Sequence, residues 1–297
     1  MFEERRGARL LGIETVEPWD ALVARSALRD AAAPRPPPLD ATHVLSEALG
    51  ADVRVRDALL EEGEAWAPGV RKVEITRDGA LAATVFLDLE PRPGKAPGAA
   101  VHAVAVGCDV DGAARPDAAA GPEAFETWGL EFPKRRPATL ALVASAPDAG
   151  ALAHEWGHVL HYALDRSTSQ HLAGPRGATD AAELPSTAFE ALPWAAHDVY
   201  QTARRRRRAA TRGLDAAQNL RIAAFDLALH FGKPFRAAAS EAPGRAAELV
   251  WAGPHVATAP AAYYAYAFGR AKGGELWRRR DAAARLRDFL ERGEVWW

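Results

Sequence analysis

Polar and apolar positions change their period once along this chain. From Val70 to Thr76 they alternate, Asp78-Gly79 is a hairpin signal, and Ala80 to Leu89 is apolar enough for a strand covered on both faces. Val101 to Val106 and Leu140 to Ser145 read as two more strands. From Gly150 onward the spacing is helical, broken at Pro175, Pro193, Pro234, Pro254 and Pro260. Ahead of the strands, residues 1–30 carry helical patches and Ala31 to Pro38 forms a stiff proline-rich connector. Asp40 or Thr42 is placed to cap a helix running toward Leu60. Strands that precede helices predict an α+β fold, mostly helical, with a small sheet, and argue against an alternating parallel-sheet fold. We expect two parts: residues 1–50 as a helical segment with its linker, and residues 51–297 as the main domain.

The stretch from Asp148 to Asp165 contains the chemistry. Leu152, Trp156, Val159, Leu160 and Ala163 recur at helical spacing, and His154, His158, His161 and Asp165 follow one another on the opposite stripe. A solvated helix face more usually carries Lys, Glu and Arg. His154-Glu155-Trp156-Gly157-His158 is an HExxH string: residues i and i+4 share a helix face, so two imidazoles can reach one zinc ion. Glu155 then stands beside the water that such an ion activates. A catalytic zinc keeps three protein ligands and leaves a position for water, so a third ligand is required downstream. Asp180, Glu183 and Glu190 are the candidates; Glu183 and Glu190, seven residues apart (190 − 183), share a face of a second helix. Spacing alone does not choose among them.

Composition narrows the setting. The 297 residues, 48% hydrophobic, suffice for a sizeable core in one large or two modest domains. A formal charge of −2 gives no global pull toward nucleic acid or anionic membranes. Arg204 to Arg208 is a local exception, read as a solvated helix segment because consecutive residues point all round a helix. Gly94-Lys95-Ala-Pro-Gly98 lacks the spacing of a phosphate-binding loop and reads as a surface turn. The single Cys108 excludes an internal disulfide and fits a small buried residue in a reducing compartment. Neither a signal-peptide core nor an apolar run of about 18 residues is present, so a cytoplasmic protein without membrane or nucleic-acid partners is expected.

Several strings together resemble a known family. His154-Glu-Trp-Gly-His-Val-Leu-His161 is similar to the HEFGHxxH helix of the thimet oligopeptidase, neurolysin and oligopeptidase A family of zinc metallopeptidases, and Asp180-Ala-Ala-Glu183-Leu-Pro185-Ser186 resembles its second motif. Leu87-Asp88-Leu-Glu-Pro-Arg92-Pro-Gly-Lys95-Ala-Pro-Gly98-Ala99 resembles the family's DLYxRxGKxxGA stretch. Ala224 to His230 and Tyr263-Tyr264-Ala265-Tyr266 resemble two further segments, so the likeness runs over roughly residues 55–295. It implies a zincin-type catalytic domain whose one zinc ion is held by His154, His158 and Glu183, the last 25 residues beyond His158 (183 − 158). It also implies Glu155 as general base and Tyr266 as a donor to the developing oxyanion, with His255 as a further catalytic candidate and Tyr263 at the substrate. Asp180, Glu190 and His161 are expected to orient the ligands. The implied activity is hydrolysis of short peptides, which could add to an exposed strand edge. Two departures stand out: Thr258-Ala259-Pro260 occupies the place of an additional family tyrosine, and family members are considerably longer. The alternative reading is therefore a shortened relative that keeps the zinc fold as a binding or structural remnant.

Overall fold

The computed structural model describes residues 2–15, 20–32, 50, 52–96, 98–110, 135–145, 147, 149–170, 173–175, 179–191, 198–241 and 254–292. The chain packs as two compact units, each built from separated stretches: Met1–Pro38 with Ala191–Gly274, and Leu39–Glu190 with Glu275–Trp297. This division differs from the break expected at residue 50. Within the first unit, α1 (Phe2–Leu11) and α2 (Ala21–Ala32) pack on a helix from the second half of the chain, α5 (Asp198–His230).

The other unit contains the sheet. Strands β1 (Val53–Ala58), β2 (Arg71–Arg77), β3 (Ala80–Asp88), β4 (Ala99–Ala105) and β7 (Ala138–Ala144) lie in the order β1-β2-β3-β7-β4. Only the β3–β7 pair is parallel. These two central strands are apolar on both faces, as a parallel pair covered on both sides requires. Asp78-Gly79 makes the β2–β3 hairpin, with both residues at positive φ. β1 corrects the expectation of a helix reaching Leu60: Val53 and Val55 are buried while Arg54 and Arg56 point out, a period of two that only a strand satisfies. Arg56 pairs with Glu74 directly across the ladder. Residues 40–49, where that helix would begin, lie outside the described residues. β4 forms one edge of the sheet, half-buried at its start and exposed from His102 on. A two-stranded ribbon, β5 (Cys108–Asp109) with β6 (Arg135–Arg136), lies apart, and Cys108 is buried in it as expected.

Helix α3 (Ala149–Leu164) buries Leu152, Trp156, Val159, Leu160 and Ala163, the apolar stripe read from the sequence, and packs on β4, β3, β7 and α9 (Ala282–Arg292). Two buried guanidinium groups close its C-terminal end. Arg135 donates to the carbonyls of Ala163 (2.9 Å) and Asp165 (2.6 Å), Arg77 donates to that of Leu164 (2.9 Å), and Asp109 binds both arginines. Cations at the negative end of a helix dipole hold that end in place.

At the far end of β3, Asp88, 1% exposed, accepts hydrogen bonds from Arg92 (2.6 and 2.7 Å), Lys95 (2.8 Å) and Trp66 (2.8 Å). Arg92 foremost, against the opposing effect of burial, and with help from Lys95 and Trp66, holds this carboxyl well below the usual carboxylate range. A depressed folded-state pKa contributes stability that is present above the unfolded value near 3.9 and lost as pH falls through the folded one. Asp88→Asn should therefore be less stable than the parent by about 3–5 kcal/mol at pH 7, because it leaves the buried Lys95 ammonium uncompensated. Urea unfolding at pH 7 and at pH 3 checks this, the gap narrowing at the lower pH.

In the first unit, α5, α6 (Phe235–Glu241) and α7 (Pro254–Thr258) enclose a core of Ile222, Phe225, Ala228, Ala238 and Val256, on which Tyr263 packs. Asp215 ties α5 to Arg25 and Arg29 of α2. The arginine run lies inside α5, where Arg206 is exposed and Arg207 pairs with Asp30. Pro234 precedes α6, Pro254 opens α7, and Pro260 separates α7 from α8 (Tyr264–Leu276), so three expected breaks fall at helix boundaries. Pro175 lies between helices of the other unit, and Pro193 is outside the described residues. Among the described residues no helix is long and apolar enough to cross a membrane.

Candidate metal centre

The α3 helix places His154 and His158 one turn apart with their ring centroids 5.0 Å from each other. Helix α4 (Thr179–Ala191) crosses them and presents Glu183. Glu183 Oε2 lies 3.3 Å from His154 Nε2 and 3.6 Å from His158 Nε2, and these three donor atoms form one cluster with every separation within 4.8 Å. Donors about 2.0–2.2 Å from a single tetrahedral ion stand about 3.3–3.6 Å apart, so the set fits zinc. Two imidazoles and one carboxylate are also the donor types that suit it.

The approach of the two helices depends on Gly157. A Cβ there would meet Ser186 Cα at 2.4 Å, Ser186 N at 2.7 Å and the Pro185 carbonyl carbon at 2.9 Å, all backbone atoms. Ser186, fully buried, sets its hydroxyl 2.8 Å from the Glu183 carbonyl oxygen and 3.0 Å from Glu183 Oε2. Trp277 Nε1–H donates to Ala188 O (2.7 Å), anchoring the end of α4. Neither Ser186 nor Trp277 is assigned a role by the sequence alone. The Pro-Ser pair after Glu183 was the available signal for the first, and nothing local marks the second.

Glu190 reaches the other ring nitrogen of His154, Nδ1, at 2.9 Å. A carboxylate there requires the proton on Nδ1 and turns Nε2 toward Glu183 as the metal donor. Burial works against charge on His154, but Glu183 and Glu190 outweigh it and push its pKa up to about 10. His158, where burial dominates and only Glu183 opposes it, is pushed down to about 4. Burial also raises Glu183, yet the two histidines prevail and lower it. The two carboxylates thus favour positive charge on His154, and a divalent ion held at Nε2 in place of the proton would supply it. Glu155 is 7% exposed, and burial foremost pushes its carboxyl up to about 7, although the nearby His154 and a hydrogen bond from the Val101 N–H pull the other way.

His161 is buried against Phe289, ring centroids 5.5 Å apart, with neither nitrogen hydrogen-bonded, so it holds neither ligand as expected of it. Burial pushes its pKa down to about 3, which keeps it neutral. Asp165 instead binds the N–H groups of Ser167 and Gly174. The side chains of Asp180 and His255 lie outside the described residues. Tyr263 and Tyr266 belong to the first unit, their rings 5.2 Å apart, where the buried Asp226 accepts the backbone N–H groups of Ala261 and Tyr263.

An HExxH helix met by a carboxylate from a second helix, next to a small sheet, defines a metallopeptidase class of site. Residues 1–241 match the sequence model of Peptidase family M3, and the chain belongs to that family. It is similar to the mitochondrial intermediate peptidase of Chaetomium globosum, 27% identical over 72% of this chain and 36% of that protein. The mitochondrial intermediate peptidase of Arabidopsis thaliana is 31% identical over 60% of this chain and 26% of its own length. The chain thus spans about a third or less of these relatives.

Proposed function

We propose that this chain is a zinc-dependent metalloendopeptidase acting on short peptides. The convergence of His154 Nε2, His158 Nε2 and Glu183 Oε2 carries this reading. Zinc held there would act as a Lewis acid and lower the pKa of a water from 15.7 toward about 7. Glu155, adjacent to a ligand and with its carboxyl near neutrality, accepts a proton from the attacking water and returns it to the leaving amine. Glu190 orients His154, and Ser186 steadies the Glu183 carboxylate. The outer edge of β4, unpaired among the described residues and tied to Glu155 through Val101, receives the peptide by backbone pairing, which favours recognition of chain over side chain. Tyr266 is the proposed oxyanion donor, with Tyr263 and His255 in support, on the strength of the family likeness. The same proposal sets the protein in the cytoplasm, consistent with one buried cysteine.

Metal analysis with a peptide assay tests the reading. The protein should bind one zinc and hydrolyse a quenched fluorescent peptide in a chelator-sensitive way. Glu190→Ala should weaken zinc binding by about 10–100-fold, and Glu183→Ala, which removes a donor, by more. Full zinc retention in Glu183→Ala excludes it as a ligand. Zinc binding without hydrolysis leaves the remnant reading, which the replacement of a family tyrosine at Thr258-Ala259-Pro260 favours.

A further inference from the structure

Lys95 is a buried cation remote from the metal donors in sequence, with a side chain only 3% exposed. Its Nζ lies 2.8 Å from Asp88 Oδ1, 2.9 Å from Asp88 O, 2.8 Å from Glu90 O and 2.6 Å from Ala144 O. Three hydrogens thus serve four acceptors drawn from the end of β3, the following turn and the last residue of β7. Five residues after Ala144, α3 begins at Ala149. The same turn is pinned again where Ser145 N–H donates to Gly98 O (3.2 Å) and Ser145 Oγ–H to Ala96 O (3.3 Å). Directly after Gly98 the chain enters β4, whose outer side pairs with no strand among the described residues and whose Val101 N–H meets Glu155.

We propose that the buried Lys95–Asp88 pair is a positioning device for β4: it fixes the turn that launches this edge strand to the strand end that launches the metal-binding helix, so that its outer edge is held ready for a peptide backbone. The proposal rests on the metallopeptidase reading for its consequence, though not for its geometry. A preformed edge costs less ordering when the peptide pairs with it, so the device acts on peptide binding rather than on the chemical step. Arg92 supplies the contrast. It binds the same Asp88 carboxylate with its side chain 34% exposed, and among the described residues its guanidinium does not bond to β7.

Amide exchange over residues 99–105, read in Lys95→Met and Arg92→Met, tests this without any activity. Lys95→Met should lose about tenfold or more of the protection in β4 while β1 and β2 keep theirs, and Arg92→Met should lose less than about threefold. In the peptide assay Lys95→Met should raise KM about 5–10-fold with kcat and zinc content nearly unchanged, the pattern of lost uniform binding. Unchanged exchange in β4, or equal effects of the two variants, overturns the proposal. If Lys95→Met does not fold, Lys95→Gln takes its place, and failure of both to fold makes the pair a general support and overturns the proposal too. Should the unaltered chain hydrolyse no peptide, the metallopeptidase reading falls alone, and the exchange result still decides this one.

Discussion

Glu155→Gln should retain zinc and lower kcat/KM by about 10²–10⁴-fold, the usual worth of a positioned general base. Glutamine keeps the shape and the hydrogen-bonding reach of the side chain and removes only its capacity to take a proton. The stability of the metal-free protein should move the opposite way. Burial raises the Glu155 carboxyl to about 7, so its neutral form is the one that suits the fold. The stability linked to a raised carboxyl is fully present below its unfolded pKa near 4.3 and is lost as pH rises through 7. Glutamine is neutral throughout, so the variant should gain up to about 4 kcal/mol over the parent at pH 8 and nothing at pH 4, since one pKa unit corresponds to about 1.4 kcal/mol. Thermal unfolding after chelation, at both pH values, checks this. A variant that is inactive and also less stable at pH 8 would show that Glu155 is bound by partners which glutamine disrupts, and would remove it as a poised base.

Gly157→Ala should do the second largest damage, through packing rather than chemistry. Helix propensity alone favours alanine here by about 1 kcal/mol. The added methyl, however, would sit 2.4 Å from Ser186 Cα, where backbone cannot yield without moving α4. Overpacking of this kind costs about 1–3 kcal/mol or more, so it outweighs the gain in propensity. Displacement of α4 carries Glu183 away from His154 and His158, and the 3.3 and 3.6 Å separations that suit one tetrahedral ion are lost. Zinc affinity should fall by about 100-fold or more and thermal stability should drop together with it, a change comparable to losing a ligand-orienting residue or worse. Isothermal titration of zinc into the variant measures the first, and a gain in stability with unchanged affinity would mean that the two helices do not meet at Gly157.

Local periodicity determined much of this by itself. The i, i+4 rule places His154 and His158 on one face of α3 and Leu152, Trp156 and Val159 on the other, whatever the rest of the chain does, because both stripes follow from 3.6 residues per turn. The alternation in Val70 to Thr76 and the Asp78-Gly79 turn likewise fix a hairpin without reference to distant residues. Val53 to Ala58 was equally alternating, but a six-residue strand beside a capping signal yields to the longer pattern until β2 is there to pair with it. Spacing alone could not separate Glu183 from Glu190; the family likeness pointed to Glu183, and the physical distinction is made by tertiary structure. Seven residues apart, both lie on one face of α4, and it is the close approach of α4 to α3 at Gly157 that lets one reach the two Nε2 atoms and the other His154 Nδ1. The interleaving of two units, the burial of His161 against Phe289, and the four acceptors gathered round Lys95 were decided in the same way. Each joins residues tens to hundreds of positions apart or depends on a buried environment, and no period in the chain encodes a distance between elements.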